Sequence, residues 1–181
     1  MVDVKYCNNP DLVQLLPGAA EGLRSLKSAG YKIVVVTNQS GLGRGYFDNE
    51  TLERVHDRLR SELRKNGADY DALYYCPHIP EDDCDCRKPK PGLFLKAASE
   101  LKIDLASSYT IGDRDLDVLA GKTAGTRTIL VSSSSKRSES ELSAPDFVVE
   151  NLREAAKIIV SNSKVPNAER AQRIRSRFER N

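Results

Sequence analysis

Apolar positions recur along the chain with two different periods. Between residues 48 and 68 they lie three or four positions apart, which predicts an amphipathic helix with a buried stripe at Leu52, Val55, Leu59 and Leu63. Residues 31–37 instead form an almost continuous apolar run, which predicts a strand covered on both faces and therefore central in a parallel sheet. The same two patterns predict further strands over 70–77, 107–113, 126–132 and 146–150, and further helices over 16–30, 91–103, 115–125 and 151–162.

The order of these elements predicts the fold class. Strands and helices alternate, which is typical of a doubly wound, Rossmann-like α/β fold with a parallel sheet, here as one domain over residues 1–162. Residues 132–145 are rich in serine and are expected to form a loop. The Arg-rich segment 163–181 is predicted to be a basic tail, either a solvated helix or, as the less favoured alternative, an arm that docks a partner. Ligands of such sheets bind beyond the carboxyl ends of the strands, where the segments 37–41, 76–88 and 112–115 would gather.

Composition limits the classes of partner and the compartment. The chain has 28 basic and 26 acidic side chains, and a net charge of +2 does not indicate a nucleic-acid-binding protein. No apolar run is long enough to span a membrane, and the amino-terminal residues do not resemble a secretory signal. We therefore expect a cytoplasmic protein, predicted to be a monomer, with its four cysteines reduced.

Two strand-end segments carry groups that suit an anion. Thr37 offers a hydroxyl, Asn38 offers an amide, and the turn at Ser40 offers backbone N–H groups, although an ordinary strand-to-helix turn would explain these residues equally well. Arg87 and Lys88 follow a second strand, and together they suit a phosphate, because an ammonium neutralises charge while a guanidinium binds two oxygens. The alternative is a pair of solvated cations, but the flanking prolines favour a fixed site.

Two further segments carry groups that suit metal ions. Asp113 ends a predicted strand, and a carboxylate in that position is a natural Mg²⁺ ligand, whereas Asp115 is expected to be only the N-cap of the next helix. The segment 76–86 offers three thiolates and one imidazole, a closed tetrahedral set for a structural Zn²⁺ formed by Cys76, His78, Cys84 and Cys86. Free cytosolic thiols are the alternative. His56 lies on the polar side of its helix and is expected to be solvated rather than catalytic.

Taken together, these motifs resemble a known family. The ordered set "VVVTNQSGLGRGYF", "YYCPH", "CDCRKPKPG" and "IGDRDLD" is similar to the D-glycero-D-manno-heptose 1,7-bisphosphate phosphatases of the haloacid dehalogenase superfamily, which have histidinol-phosphate phosphatases as close relatives. The resemblance implies a Mg²⁺-dependent hydrolase that removes the 7-phosphate, with Thr37 and Lys88 stabilising the phosphoryl group, Asp113 binding Mg²⁺ and the Cys/His set binding Zn²⁺. It also implies a substrate-binding set of Asp3, Tyr6, Thr37, Asn38, Gln39, Ser40, Arg87, Lys88 and Arg114.

One part of the family pattern has no counterpart in these 181 residues. The family begins with an apolar strand that ends in Asp-x-Asp-Gly-Thr, whose first aspartate attacks phosphorus and whose second is the general acid/base. The resemblance would place that strand just before Met1 and in the middle of the sheet, between the strands 31–37 and 107–113. We therefore expect a gap between those strands, and either a start codon assigned too late or a fragment. A catalytically silent homologue that binds phosphosugars is the alternative.

Overall fold

The computed structural model describes residues 6–132 and 144–163, which form alternating helices and strands. The strands are β1 (Val34–Asn38), β2 (Ala72–Cys76), β3 (Tyr109–Gly112), β4 (Arg127–Val131) and β5 (Phe147–Val149). The helices are α1 (Ala19–Ser28), α2 (Ser40–Gly43), α3 (Asn49–Lys65), α4 (Gly92–Leu101), α5 (Asp115–Thr123) and α6 (Leu152–Ser163). Two short 3₁₀ helices lie at Pro10–Leu12 and Pro80–Asp82.

All strand pairs of the described residues are parallel, which confirms the predicted α/β class. The described strands form two sheets, one of β1 and β2 and one in the order β3-β4-β5. In the first sheet Asn38 lies opposite Cys76, so the carboxyl ends of both strands meet at one edge. The prediction that residues 31–37 form a central strand is wrong in part: within the described residues β1 pairs with β2 alone and begins only at Val34. Ile33 is held instead by Asp71, whose carboxylate accepts its N–H at 2.6 Å.

A cavity of about 150 Å³ separates the two sheets. Its walls come from β1, β3 and the faces of α4 and α5, and we call it the β1–β3 cleft. It is lined by Lys32, Val34, Val36, Lys88, Phe94, Ala97, Ala98, Ile103, Leu105, Ser108, Tyr109, Thr110, Ile111, Asp117 and Thr126. The expected gap between these two strands is therefore present in the structure.

The two sheets share one hydrophobic core. Helices α1 and α6 pack on each other, and their buried residues Leu26 and Ile159 join Ile33, Leu63 and Ile129 in a single cluster. Gly22 allows this packing, because a Cβ at that position would lie 2.6 Å from the backbone oxygen of Leu152. The sheets are thus held together by helices and core side chains as well as by their loops.

Several predicted segments differ from the structure or lie beyond what it describes. The four-residue helix α2 was not expected, because Gly41 and Gly43 favoured a turn. Most of the expected 132–145 loop (residues 133–143) and most of the predicted tail (residues 164–181) lie outside the described residues. No helix in the described ranges is both long and apolar enough to cross a membrane.

Candidate active site

The loops that follow β1 and β2 are joined by a pair of hydrogen bonds. The Asn38 side chain accepts the backbone N–H of Lys88 and donates to the backbone carbonyl of Lys88, each at 3.1 Å. The amide therefore uses both of its polar atoms on the backbone of one residue. Asn38 fixes the position of Lys88 relative to the end of β1.

Beside this pair lie the other predicted anion-binding groups. Thr37 is half-buried, and its hydroxyl accepts the Gln39 side-chain amide at 3.3 Å. The backbone N–H of Gln39 donates to the carbonyl of Cys76 at 2.7 Å, which continues the β1–β2 pairing by one residue. Ser40 then begins α2, and Gly41 leaves room for the ring of Phe47, whose Cε1 would lie 2.3 Å from a Cβ at that position.

Lys88 reaches from this edge into the β1–β3 cleft. Its ammonium donates to the backbone carbonyl of Val36 at 2.8 Å and forms an ion pair with Asp117 at 2.6 Å. The two side chains are only 12% and 9% exposed, so the pair is almost desolvated. The loop after β2 is therefore connected directly to α5, which follows β3.

Asp117 was not predicted as a site residue. It lies in the first turn of α5, where its carboxylate also accepts the backbone N–H of Arg114 at 3.2 Å. It packs against the end of β3, since a Cβ at Gly112 would lie 2.2 Å from its Cβ. Asp117 is the third residue of α5, and acidic side chains are common in the first turn of a helix. Only its contact with Lys88 marks it as part of this site.

Asp113 and Asp115 are both exposed beside this pair. Asp113 follows the last residue of β3 directly, which places it at the carboxyl edge of the sheet, as predicted. The prediction that Asp115 is an N-cap is wrong: Arg114 occupies the cap position, Asp115 is already the first helical residue, and the capping carboxylate is that of Asp117.

The predicted metal-binding cysteines and histidine do come together. The ligand atoms of Cys76, His78, Cys84 and Cys86 all lie within 4.8 Å of one another. Neighbouring pairs are closer, with His78 Nδ1 at 3.2 Å from Cys86 Sγ and Cys84 Sγ at 3.5 Å from Cys76 Sγ. Three sulfurs and one nitrogen at such separations fit around one tetrahedral Zn²⁺, so this set can hold that ion.

The thiols of this set differ in acidity. Burial raises the pKa of Cys76 to about 12, and hydrogen bonds from neighbouring thiols add to the effect. Burial also raises the pKa of Cys86. At Cys84, burial acts in the same direction, but hydrogen bonds from Cys86 and Cys76 outweigh it and lower the pKa to about 7. One thiolate is thus available near neutral pH, and a bound cation would deprotonate the others.

The remaining predicted site residues have different surroundings. Arg87 donates to the backbone carbonyl of His78 at 3.1 Å, so its guanidinium is anchored on the Cys/His loop. Tyr6 stacks edge-on against Tyr46 with ring centroids 5.0 Å apart. Arg114 is exposed before α5, and Asp3 lies outside the described residues.

His56 differs from its predicted state. It is half-buried against Tyr75, with ring centroids 5.7 Å apart, and its buried Nε2 has no hydrogen-bond partner in the described structure. Burial lowers its pKa below 6.5, although Asp57 opposes the shift. Its helix position looked polar because the neighbouring side chains are charged.

Comparison with known proteins relates this site to enzymes. A family model described as HAD-hydrolase-like matches residues 85–155. The chain is 39% identical over 165 residues to the D-glycero-beta-D-manno-heptose-1,7-bisphosphate 7-phosphatase of Pasteurella multocida, covering 87% of this chain and 90% of that protein. It is 36% identical over 172 residues to the enzyme of the same name from Escherichia coli, covering 90% of each. This chain belongs to the heptose-bisphosphate phosphatase family.

Solved structures of the heptose-bisphosphate phosphatase family agree with the fold. The B. bronchiseptica D,D-heptose 1,7-bisphosphate phosphatase, complexed with magnesium and phosphate, matches with a TM-score of 0.74 and 33% identity over 86% of this chain and 88% of that one. The Burkholderia thailandensis enzyme matches with a TM-score of 0.61 and 32% identity, over 84% and 90% of the two chains. The predicted family and its phosphatase class are confirmed.

Proposed function

We propose that this chain carries the phosphate- and metal-binding parts of a Mg²⁺-dependent phosphatase that removes the 7-phosphate of D-glycero-D-manno-heptose 1,7-bisphosphate. The observation that supports this proposal best is the convergence of three strand-end loops through the Asn38–Lys88 and Lys88–Asp117 contacts. Relatives named for this activity match over most of the chain.

The proposed phosphate subsite lies between the ends of β1 and β3. Lys88 supplies a fixed positive charge for the phosphoryl oxygens, and Thr37 supplies a hydroxyl donor beside it. Asn38 holds the backbone of Lys88 in place, so we assign it a positioning role instead of direct contact through both amide atoms. Gln39 and Ser40 follow β1 directly and are proposed to bind the substrate at the same carboxyl edge of the sheet.

Asp113 is the proposed Mg²⁺ ligand. It is exposed directly beyond β3, and Mg²⁺ in phosphate-binding sites is commonly held by one or two carboxylates with water and substrate oxygens. The bound ion would neutralise phosphate charge. Arg87 and Arg114 are proposed to contact the rest of the substrate, together with Tyr6 and, outside the described residues, Asp3.

The alternative function is phosphosugar binding without turnover. It needs only the contacts of the proposed subsite, namely Asn38 with Lys88 and Lys88 with Asp117. Within the described residues, the carboxylate in contact with Lys88 is that of Asp117, which is already ion-paired. Histidinol phosphate is the alternative substrate.

Calorimetric titration with heptose 1,7-bisphosphate in Mg²⁺, combined with phosphate-release assays, tests these proposals. We expect Asp113→Asn to abolish the Mg²⁺ dependence of binding and Asp115→Asn, on the adjacent exposed carboxylate, to preserve it. Lys88→Met should abolish binding, whereas Lys90→Met, which removes a cation paired with Asp83, should not. Equal binding by both members of either pair would refute the proposed subsite. Tighter binding of histidinol phosphate would favour the alternative substrate, and binding without phosphate release would favour the non-catalytic reading.

We also propose that the protein works in the cytoplasm as a monomer, with Zn²⁺ as a structural ion. The free thiols of the Cys/His set support the reducing compartment and the zinc site. Sedimentation velocity and metal analysis of the purified protein would test the oligomeric state and the zinc content.

A further inference from the structure

Tyr46 presents an aromatic ring to solvent close to the proposed phosphate subsite. The residue is 55% exposed, and its backbone N–H donates to the carbonyl of Gly41 at 2.9 Å. Gly41 belongs to α2, which begins at Ser40 just beyond the carboxyl end of β1. The ring is therefore attached one short turn away from the edge of the sheet where Thr37 and Lys88 lie.

The backbone on both sides of Tyr46 is held in place. On the amino-terminal side, the N–H of Gly43 donates to the carbonyl of Pro77 at 3.0 Å, which joins α2 to the Cys/His loop. On the carboxyl-terminal side, the ring of Phe47 packs against Gly41. A side chain on a segment fixed at both ends binds a ligand without a large cost for ordering the loop.

The Tyr46 ring itself is oriented by Tyr6. The two rings meet at 77° in an edge-to-face contact, with centroids 5.0 Å apart. Tyr6 lies before the first 3₁₀ helix, so segments 40 positions apart (46 minus 6) meet here. Single apolar side chains are ordinary on a protein surface, but oriented aromatic rings next to a few polar groups are typical of ligand sites.

The proposed substrate consists of two chemically different parts. Its phosphate is charged and suits Lys88 and Thr37, whereas the carbon skeleton of its sugar presents apolar C–H groups. Ligand sites commonly bind the apolar part of a ligand with aromatic side chains and orient it with a few polar groups. Tyrosine suits a sugar because its ring contacts C–H groups while its hydroxyl reaches water or a sugar hydroxyl.

We propose that Tyr46 is a specificity-determining residue whose ring, oriented by Tyr6, contacts the carbon skeleton of the sugar while Lys88 holds the phosphate. This inference rests on the proposed function, because it takes the phosphate subsite as its starting point. It adds to the proposed substrate-binding set a side chain that the sequence patterns did not indicate.

Calorimetric titration of the Tyr46→Ala variant with two ligands tests this inference. The ligands are heptose 1,7-bisphosphate and inorganic phosphate, each in Mg²⁺ and with the full, zinc-loaded chain. We expect the variant to bind the bisphosphate about three- to tenfold more weakly, which is the range of one aromatic contact. Its affinity for inorganic phosphate should be unchanged, because that ligand has no sugar. An equal loss for both ligands, or no loss for the bisphosphate, would overturn the inference.

Two further variants provide controls, and all are checked for folding by circular dichroism. Tyr46→Phe keeps the ring and should bind both ligands as the unmodified chain does. Leu95→Ala removes another exposed apolar side chain, 51% exposed on α4, and should also leave both affinities unchanged. If Tyr46→Phe lost as much affinity as Tyr46→Ala, the contact would belong to the hydroxyl and not to the ring. The same loss in Leu95→Ala would contradict a specific site.

Nuclear magnetic resonance detects the contact directly. In a deuterated chain with protonated tyrosine rings, we expect nuclear Overhauser contacts between ring protons and the sugar protons of the bound bisphosphate. These contacts should weaken in Tyr46→Ala, which retains the other tyrosines. Contacts of undiminished strength in that variant, or none in the unmodified chain, would refute the assignment.

The two proposals fail in different ways. If inorganic phosphate binds in a manner that depends on Lys88, but Tyr46→Ala leaves the affinity for the bisphosphate unchanged, only this inference is refuted. If the bisphosphate binds with the expected dependence on Tyr46 but releases no phosphate, the inference stands and the catalytic proposal fails. If neither ligand binds, both are wrong.

Discussion

Replacing Asp117 with asparagine tests the central contact of the candidate site. The Lys88 ammonium lies 2.6 Å from the Asp117 carboxylate, and the two side chains are 12% and 9% exposed. Asp117→Asn keeps the size and an oxygen that can still accept the Arg114 N–H, so the substitution mainly removes charge. It leaves a nearly buried ammonium whose described partner is the Val36 carbonyl.

Asp117→Asn is expected to lower the unfolding free energy by a large fraction of its total. Removing one partner of a buried ion pair costs about 3–5 kcal/mol. We expect about 3 kcal/mol here, because the Val36 bond and the residual exposure of Lys88 compensate part of the loss. Total unfolding free energies are about 5–15 kcal/mol, so the variant would be markedly less stable.

Urea unfolding followed by circular dichroism measures this change, with Asp115→Asn as the exposed control in the same helical turn. The control should stay within about 0.5 kcal/mol of the unmodified chain. The double variant Lys88→Met with Asp117→Leu should recover most of the loss, because it buries no unpaired charge. If Asp117→Asn alone were as stable as the control, the pair would be solvated and our account of it would be wrong.

Two further predictions concern titrating groups. Because burial lowers the pKa of His56 below 6.5, the unfolded chain binds this proton more readily, so stability should fall as the pH drops below 6.5. His56→Phe should make the unfolding free energy, measured with urea between pH 5 and 7, depend less on pH. An unchanged pH dependence would show that His56 is not the group responsible. Zinc binding at pH 7 should release about two to three protons, because Cys76 and Cys86 have raised pKa values, and an indicator dye in weak buffer would detect them. Cys84→Ala should bind zinc weakly, and zinc binding without proton release would exclude thiolate ligation.

Local sequence patterns predicted the parts of this molecule that depend on neighbouring residues. The stripe in α3 and the apolar run in β1 follow directly from spacing, and the Cys/His set is close enough along the chain to be recognised as one site. The carboxyl-edge location of Lys88 and Asp113 follows from the general geometry of parallel sheets.

Contacts between distant segments were not predictable in this way. Asp117 lies 29 positions from Lys88 (117 minus 88), and nothing in either local pattern indicates their pairing. The burial of His56 depends on Tyr75 of a separate strand, while its own helix pattern indicates a polar face. The hydrogen bonds between the Asn38 side chain and the Lys88 backbone likewise become visible only when both loops are placed.

Gly22 lies where α1 packs on α6, and the absence of a side chain there affects how closely the two helices approach. A methyl group there would meet the Leu152 oxygen at 2.6 Å, and relief of that clash requires α6 to move away from α1. Because α6 packs on β3, β4 and β5, such a movement would carry the second sheet with it. The packing of the second sheet is therefore coupled, through α6, to the absence of a side chain at Gly22.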